Sequence, residues 1–135
     1  MPKESGIGMT LTVDDSAGPT PRAITNDVTN FDWATPRNVQ DVTGLNSSAI
    51  ERLLLLADFT IAINGVFNDA ANLSHAVFST VPSTSVARTT TIVVSGQTLA
   101  GELFYTDYAL ARAATGELTW NTPGVLADGA VPTWA

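Results

Sequence analysis

The sequence predicts a mainly β protein, a β-sandwich or partial barrel flanked by one α-helix. Three observations carry that expectation. From Asp58 to Phe67 the chain alternates, with Phe59, Ile61, Ile63, Gly65 and Phe67 on one parity and Asp58, Thr60 and Asn64 on the other. A side-chain period of two puts each set on its own face, one able to enter a core. Nineteen of the 135 residues are threonine, and β-branched side chains suit a pleated surface. A single stretch, about residues 69–81, has helical spacing with both a start and a stop: Asn68-Asp69 as the cap, Leu73, Val77 and Val81 at i, i+4 and i+8, and Pro82 as the terminator.

At 135 residues with 44% hydrophobic content, the chain suffices for one well-buried core and is too short for two. It therefore reads as one domain, 1–135, with a flexible N-terminal arm (1–9) and a docking C-terminal tail (125–135). A first strand fits Met9 to Asp14, where Met9, Leu11 and Val13 alternate with polar residues. The loop from Asp15 to Pro21 ends it. An extended segment follows from Arg22 to Trp33; Ile24 and Val28 have one parity and Phe31 and Trp33 the other, so a bulge near Thr29-Asn30 is expected. Val39 and Val42 mark a weak strand before Thr43-Gly44.

The stretch from Arg52 to Phe67 is the longest apolar feature, and sixteen extended residues would reach roughly 50 Å. Its front admits two readings. Leu53, Leu55 and Ala57 continue the core parity of a strand, yet Leu54 and Leu56 are apolar on the other face. Ser48-Ala49-Ile50-Glu51 fits a capping box, and Ile50, Leu53, Leu54 and Ala57 stand at helical spacing, so a helical turn over 48–54 is the alternative. The short, one-sided helix at 69–81 should lie against a sheet rather than build a core of its own. Three segments complete the chain: Arg88 to Ser95, ending in a turn at Ser95-Gly96-Gln97; Glu102 to Arg112; and Glu117 to Asn121, closed by Pro123-Gly124. Leu126, Val131 and Trp134 are more apolar content than a disordered tail carries. Two strands apolar on both sides leave surplus hydrophobic surface, which predicts self-association.

The chemistry is mostly one of exclusion. No cysteine is present, so disulfides, thiolate metal sites and a cysteine nucleophile are ruled out. Six basic against thirteen acidic residues give a net charge of −7, a poor balance for gripping phosphates. His75 is the single histidine and has no evident nucleophile or orienting partner. The acidic pairs Asp14-Asp15 and Asp27 with Asp32 lack the loop spacing of a calcium site. Gly6-Ile7-Gly8 precedes no strand-to-helix turn, and no G-K-[ST] occurs. Neither catalysis nor a cofactor is expected. MPKESGIGMT has no apolar segment behind its basic residue, and Arg52 and Asp58 interrupt the longest apolar run, so neither a cleaved leader nor a membrane span is expected.

Two segments carry more than composition. DVTGLNSSAIERLLLLADFTIAINGVFNDAANLSHAVF, from Asp41 to Phe78, and ARTTTIVVSGQTLAGELFYTDYALARAATGELTWNTPGVLADG, from Ala87 to Gly129, resemble the major tail tube proteins of long-tailed, siphovirus-like bacteriophages. The likeness lies in a V-T-G-L turn, a strand ending G-V-F-N-D, a short helix, and a later strand pair before a G-E-L-T-W strand. It implies a structural virion protein of the tail, assembled in the host cytoplasm. Such subunits form hexameric rings that stack into a hollow tube around the tape measure protein, meet tail-end proteins, and conduct DNA without binding it specifically. On that resemblance, Asp58, Thr60 and Asn64 are candidates for the lumen, and Pro36, Leu45, Ile50, Leu54 and Trp134 for contacts between subunits. The alternative is a monomeric carbohydrate-binding or adhesive sandwich using exposed aromatics such as Trp33, Trp120 or Trp134.

Overall fold

A computed structural model describes residues 5–16 and 20–135. The first part of the expected N-terminal arm and the middle of the loop after Asp15 lie outside those residues. Among the described residues ten strands run in chain order: β1 (Thr10–Asp14), β2 (Pro21–Ala23), β3 (Val28–Ala34), β4 (Arg37–Asp41), β5 (Arg52–Ala57), β6 (Thr60–Val66), β7 (Arg88–Val94), β8 (Gln97–Tyr105), β9 (Ala109–Arg112) and β10 (Leu118–Leu126). One helical turn, α1 (Ser74–Phe78), sits between β6 and β7, and a 3-10 turn (Thr25–Asp27) precedes β3.

Eight strands form an antiparallel sheet in the order β2-β1-β7-β8-β10-β6-β3, with β9 alongside β10. The sheet curls around one core. Leu11 and Val13 of β1, Ile61 and Ile63 of β6, Ile92 of β7, Leu99, Leu103 and Tyr105 of β8 and Trp120 of β10 all point inward and are buried. Each aliphatic side chain so placed contributes about 1.5–3 kcal/mol. Phe78 of α1 closes the core by touching Tyr105 and Trp120, both at 5.3 Å between ring centroids. Mainly β architecture with one flanking helix is thus what the sequence leads one to expect.

Local departures have identifiable causes. The bulge expected near Thr29-Asn30 is present, since the β3–β6 register shifts between Val28 and Asn30 and turns Phe31 and Trp33 opposite Ile63 and Ile61. Pro123-Gly124 does not end the last strand. β10 runs through it, pairing with β9 over Leu118–Asn121 and with β8 over Gly124–Leu126. Thr106 N–H donates to the Pro123 carbonyl (3.2 Å), so the missing N–H of Pro123 points away from β6 and breaks no bond of that ladder. Gly124 is needed here, because a Cβ would lie 2.9 Å from Ile61 and 3.1 Å from the Tyr105 ring. The span Glu102 to Arg112 divides between β8 and β9, and Arg22 to Trp33 divides around the 3-10 turn.

The helix is shorter than the 69–81 pattern implies, and its N-terminus is held from elsewhere. Leu73 at the N-cap makes no side-chain bond. Asn68 Oδ1 instead accepts the Ala70 N–H (3.0 Å), closing a local turn. The Ser74 N–H goes to the buried carboxylate of Asp27 at 3.0 Å, whose other oxygen accepts from Asn68 Nδ2 at 2.9 Å. A tertiary acceptor thus satisfies an otherwise orphaned helix donor. The other end is anchored by Arg88, which is 2% exposed and donates to the Val77 and Asp14 carbonyls and to Thr80 Oγ1.

The largest correction concerns the front of the long apolar stretch. Residues 48–54 make no helical turn, and Arg52 to Phe67 is not one continuous strand. β5 leaves the main sheet and pairs only with β4, forming a separate two-stranded hairpin, and the chain breaks direction at Asp58-Phe59 before β6 begins. Ser47 Oγ donates to the Glu51 carboxylate near the hairpin tip, so Glu51, the acidic member of the supposed capping box, helps close a loop instead. Within β6 the expected parity holds, with Ile61, Ile63 and Gly65 buried and Thr60, Ala62 and Asn64 half-buried on the other face.

Candidate assembly surfaces

The β4–β5 hairpin is an arm without a core. Register sets Val39 opposite Leu54 and Asp41 opposite Arg52 on one face, with Gln40 opposite Leu53 on the other. On β5, Leu53, Leu54 and Leu56 are 53%, 56% and 92% exposed, and Leu55 is 38% exposed. Val39, Val42, Leu45 and Ile50 are exposed as well. A two-stranded ribbon of this kind is marginal alone. Its shape rests on local bonds: the Asp41 carboxylate accepts from the Thr43 hydroxyl and N–H, and Thr43 Oγ1 accepts the Glu51 N–H. Those bonds, the hydroxyl first, hold the Asp41 carboxyl below its ordinary range. Where the arm joins the body, an open cleft of about 910 Å³ is lined by Arg37, Asn38, Leu54 to Ala57 and Val131.

Four of the five expected contact residues belong to this arm or its base. Leu45 is fully exposed at the tip, Ile50 and Leu54 flank the hairpin, and Pro36 stands at the root, its carbonyl accepting the Asp58 N–H at 2.9 Å. Trp134 is elsewhere. It lies in a C-terminal segment that returns along β8, with two backbone bonds between Thr98 and Ala135 and a bridge from Leu99 to Trp134. Pro132 packs where Gly101 has no Cβ, and the Trp134 ring lies 6.4 Å from that of Trp33. Half of Trp134 remains exposed.

The outward face of the main sheet forms the second surface. Across β7, β8, β10, β6 and β3 it carries Thr89, Thr91, Thr98, Ala100, Thr119, Asn121, Thr60, Ala62, Asn64 and Asn30 by alternation and register, together with the apolar Val66, Val93, Phe104 and Val125. Asp32 and Glu102 are its charged members, and no lysine or arginine stands on it. Thr60 and Asn64, two of the three lumen candidates, lie on this face, whereas Asp58 precedes the strand and bonds the Phe59 N–H with its own carboxylate (2.7 Å). The sequence reading missed Asn30 and Asn121, which flank Asn64 in register on either side. Pairing across non-adjacent strands is what selects them, and a single strand carries no such signal. At the ends of the sheet, β3 and β2 each have one edge that pairs with no described strand.

Most of the remaining titratable and aromatic groups are engaged in structure, while the buried hydroxyls of Ser74 and Thr122 make no hydrogen bond. His75 Nδ1 is 3.2 Å from Tyr108 Oη, and its ring is tilted against that of Phe67 with centroids 4.8 Å apart. Burial, and then the nearby Asp27 charge, push the Tyr108 phenol up. Tyr105 is raised much further by complete burial, opposed by its bond to Thr90 (2.6 Å) and by Arg88. Burial likewise lowers Arg88, against the pull of Tyr105, Asp15 and Asp14. Asp15 pairs with Arg22 at 3.0 Å. Asp27 is buried at the helix while Asp32 is exposed on β3, so that acidic pair does not converge. Trp120 is 2% exposed, its Nε1 donating to the Val66 carbonyl, which removes one of the aromatics a sugar-binding surface would use. Among the described residues no three histidine or carboxylate side chains cluster as metal ligands, and no helix is long and apolar enough to cross a membrane.

No known family profile and no curated protein matches the chain. Solved structures do. A chain in the tail of an empty gene transfer agent particle, solved by helical refinement with C6 symmetry, superposes with a TM-score of 0.74 at 18% identity, covering 98% of each chain. A chain in the virion of a native gene transfer agent particle gives 0.72 at 18% identity, covering 97% of this chain and 99% of that one. The tail-tube-like fold expected from the sequence is therefore the fold of this chain.

Proposed function

We propose that this chain is a tail tube subunit, a structural virion protein whose copies close into hexameric rings that stack into a hollow tube. The tube encloses a tape measure protein during assembly and then conducts DNA toward the host. One observation carries the reading: an arm apolar on both faces and largely uncovered by its own chain projects from a sheet whose outward face mixes threonines and asparagines with a few apolar residues and carries no cation among the described strands. In an isolated subunit that arm exposes Leu53, Leu54 and Leu56 by half or more of their surface, an arrangement that favours burial against a second copy. The C6 tail chain with the same fold supports six-fold closure.

In the proposed ring, Pro36, Leu45, Ile50 and Leu54 meet neighbouring copies through the arm, and Trp134 does so at the C-terminal segment. The unpaired edges of β2 and β3 join sheets between copies, which removes exposed edges. Thr60 and Asn64 face the channel, with Asp58 at its rim. No step calls for catalysis. Negative-stain electron microscopy of the purified chain tests the proposal. Hollow tubes of uniform width are expected, and a monodisperse monomer whose tryptophan fluorescence responds to a sugar would favour the adhesive reading instead.

A further inference from the structure

The chain contains one Asn-Gly step, Asn64-Gly65, and one Asp-Gly step, Asp128-Gly129. At such steps the glycine nitrogen, with no side chain beside it to hinder approach, can attack the side-chain carbonyl carbon of the residue before it. The fold treats the two differently. Gly65 is buried in β6, registered between Val28 of β3 and Trp120 of β10, and Asn64 Oδ1 accepts from Asn121 Nδ2 at 2.6 Å. A strand paired on both sides cannot swing its backbone to bring side chain and nitrogen together. Asp128 and Gly129 are both exposed and lie beyond the end of β10. Gly129 has a φ of +75° with nothing within 4 Å of where a Cβ would stand, and its N–H has no acceptor among the described residues. Asp128 Oδ1 accepts the Ala130 N–H at 3.0 Å, which turns the carboxyl forward past the Gly129 nitrogen.

We propose that Asp128 is a self-modification site, converting through a succinimide to isoaspartate and thereby loosening the C-terminal segment from β8. The Gly129 nitrogen bonds to Asp128 Cγ with the carboxyl in its acid form, and the amide proton and the carboxyl hydroxyl leave as water. Water then adds back to the ring. Opening at Cγ restores aspartate, whereas opening at the main-chain carbonyl leaves the chain routed through Cβ and Cγ. The isomer has the same composition as the starting chain and one more carbon in its backbone, so no oxidant or co-reactant is consumed. That carbon enters a short tether. On one side the Ala127 N–H is held by the Glu102 carbonyl at 3.0 Å; on the other, Pro132 fills the space above Gly101, and Thr98 and Ala135 exchange backbone bonds at 2.8 and 2.9 Å. Only residues 128–131 join these anchors, so a lengthened link there moves Pro132 and Trp134 out of register with Gly101 and Leu99. The chemistry needs nothing but this chain and holds whether or not copies form a tube.

The test ages folded and urea-unfolded chain side by side in warm neutral buffer, with Asp128→Ser as the control, since a hydroxyl accepts a hydrogen bond but has no carbonyl to cyclise. Cleavage after arginine yields Leu53–Arg88, which holds Asn64, and Ala113–Ala135, in which Asp128 is the sole aspartate. From the folded chain, Ala113–Ala135 is expected to split into two chromatographic forms of equal mass, while Leu53–Arg88 shows no conversion of Asn64 to an acid. In the unfolded chain the order reverses, because a neutral amide gives up ammonia more readily than a carboxylate gives up water. Hydrogen exchange should show protection lost at Thr98 and Ala135 in aged folded wild type and kept in aged Asp128→Ser. A folded chain whose Ala113–Ala135 peptide stays single through an ageing time that converts Asn64 in the unfolded chain overturns the site, as does a folded chain in which Asn64 converts first. Isomerised chain that keeps full protection at Thr98 and Ala135 overturns the loosening.

Discussion

Replacing Leu54 and Leu56 by serine separates the arm's role in assembly from any role in folding. Both side chains lie on one face of β5, 56% and 92% exposed. Full burial of a leucine is worth about 1.5–3 kcal/mol. Scaled by exposure, covering Leu56 in an interface contributes about 2 kcal/mol and Leu54 about 1 kcal/mol. Losing about 3 kcal/mol per contact weakens association about a hundredfold, because 1.4 kcal/mol is about tenfold. The same change should hardly affect the free subunit, where exposed substitutions stay within about 0.5 kcal/mol. Sedimentation across a concentration series would show the threshold for tube formation rising about a hundredfold, and chemical denaturation of the dilute chain would show an unchanged midpoint. A double variant that assembles at the wild-type threshold refutes the arm as an interface. One that loses several kcal/mol as a monomer refutes the claim that its own chain leaves the arm uncovered. Leu53→Ser/Leu55→Ser, on the opposite face, would show whether one side of the arm dominates.

Further expectations concern the body. Gly65→Ala would place a Cβ 2.3 Å from the Asp27 carbonyl and 2.5 Å from the Trp120 ring. Neither neighbour can yield cheaply, so a loss of at least about 3 kcal/mol is expected in urea unfolding. Arg88→Ala strips donors from the buried Val77 and Asp14 carbonyls and should cost about 2–4 kcal/mol, with loss of near-ultraviolet signal from the Phe78 cluster. The two tyrosines should titrate apart in alkali. Because the folded state raises Tyr105 by burying its neutral phenol, the stability it contributes is whole below about pH 10 and is lost as pH rises through the raised folded value. Absorbance should therefore show one phenolate appearing only with unfolding; reversible ionisation of both in the folded chain would contradict the buried Tyr105–Thr90 pair.

Much of the body was legible because its signals are local. Phe59, Ile61 and Ile63 against Thr60 and Asn64 define the two faces of β6 whatever strands lie beside it. The parity clash between Val28 and Phe31 located a bulge. The helix was legible in kind from Val77 and the stop at Pro82, but its extent was not, since its leading donor is held by Asp27, far away in sequence. Arg88 gave no warning of its burial, because arginine is rarely a core residue unless several distant acceptors converge on it. Pro123 looked like a terminator and is instead the point where β10 exchanges one partner for another.

By itself the sequence determined that this chain is mainly β, where its core strand lies, and that it holds more apolar surface than its own core can bury. It did not determine where that surface is. Leu53 to Leu56 reads the same whether a strand is covered on both faces or on neither, since alternation reports the difference between two faces and falls silent when both are apolar. Only the tertiary structure, by pairing β5 with β4 instead of the main sheet, decided that these leucines stand outside. The choice of pairing partner depends on residues far apart in the chain, and no local pattern encodes it.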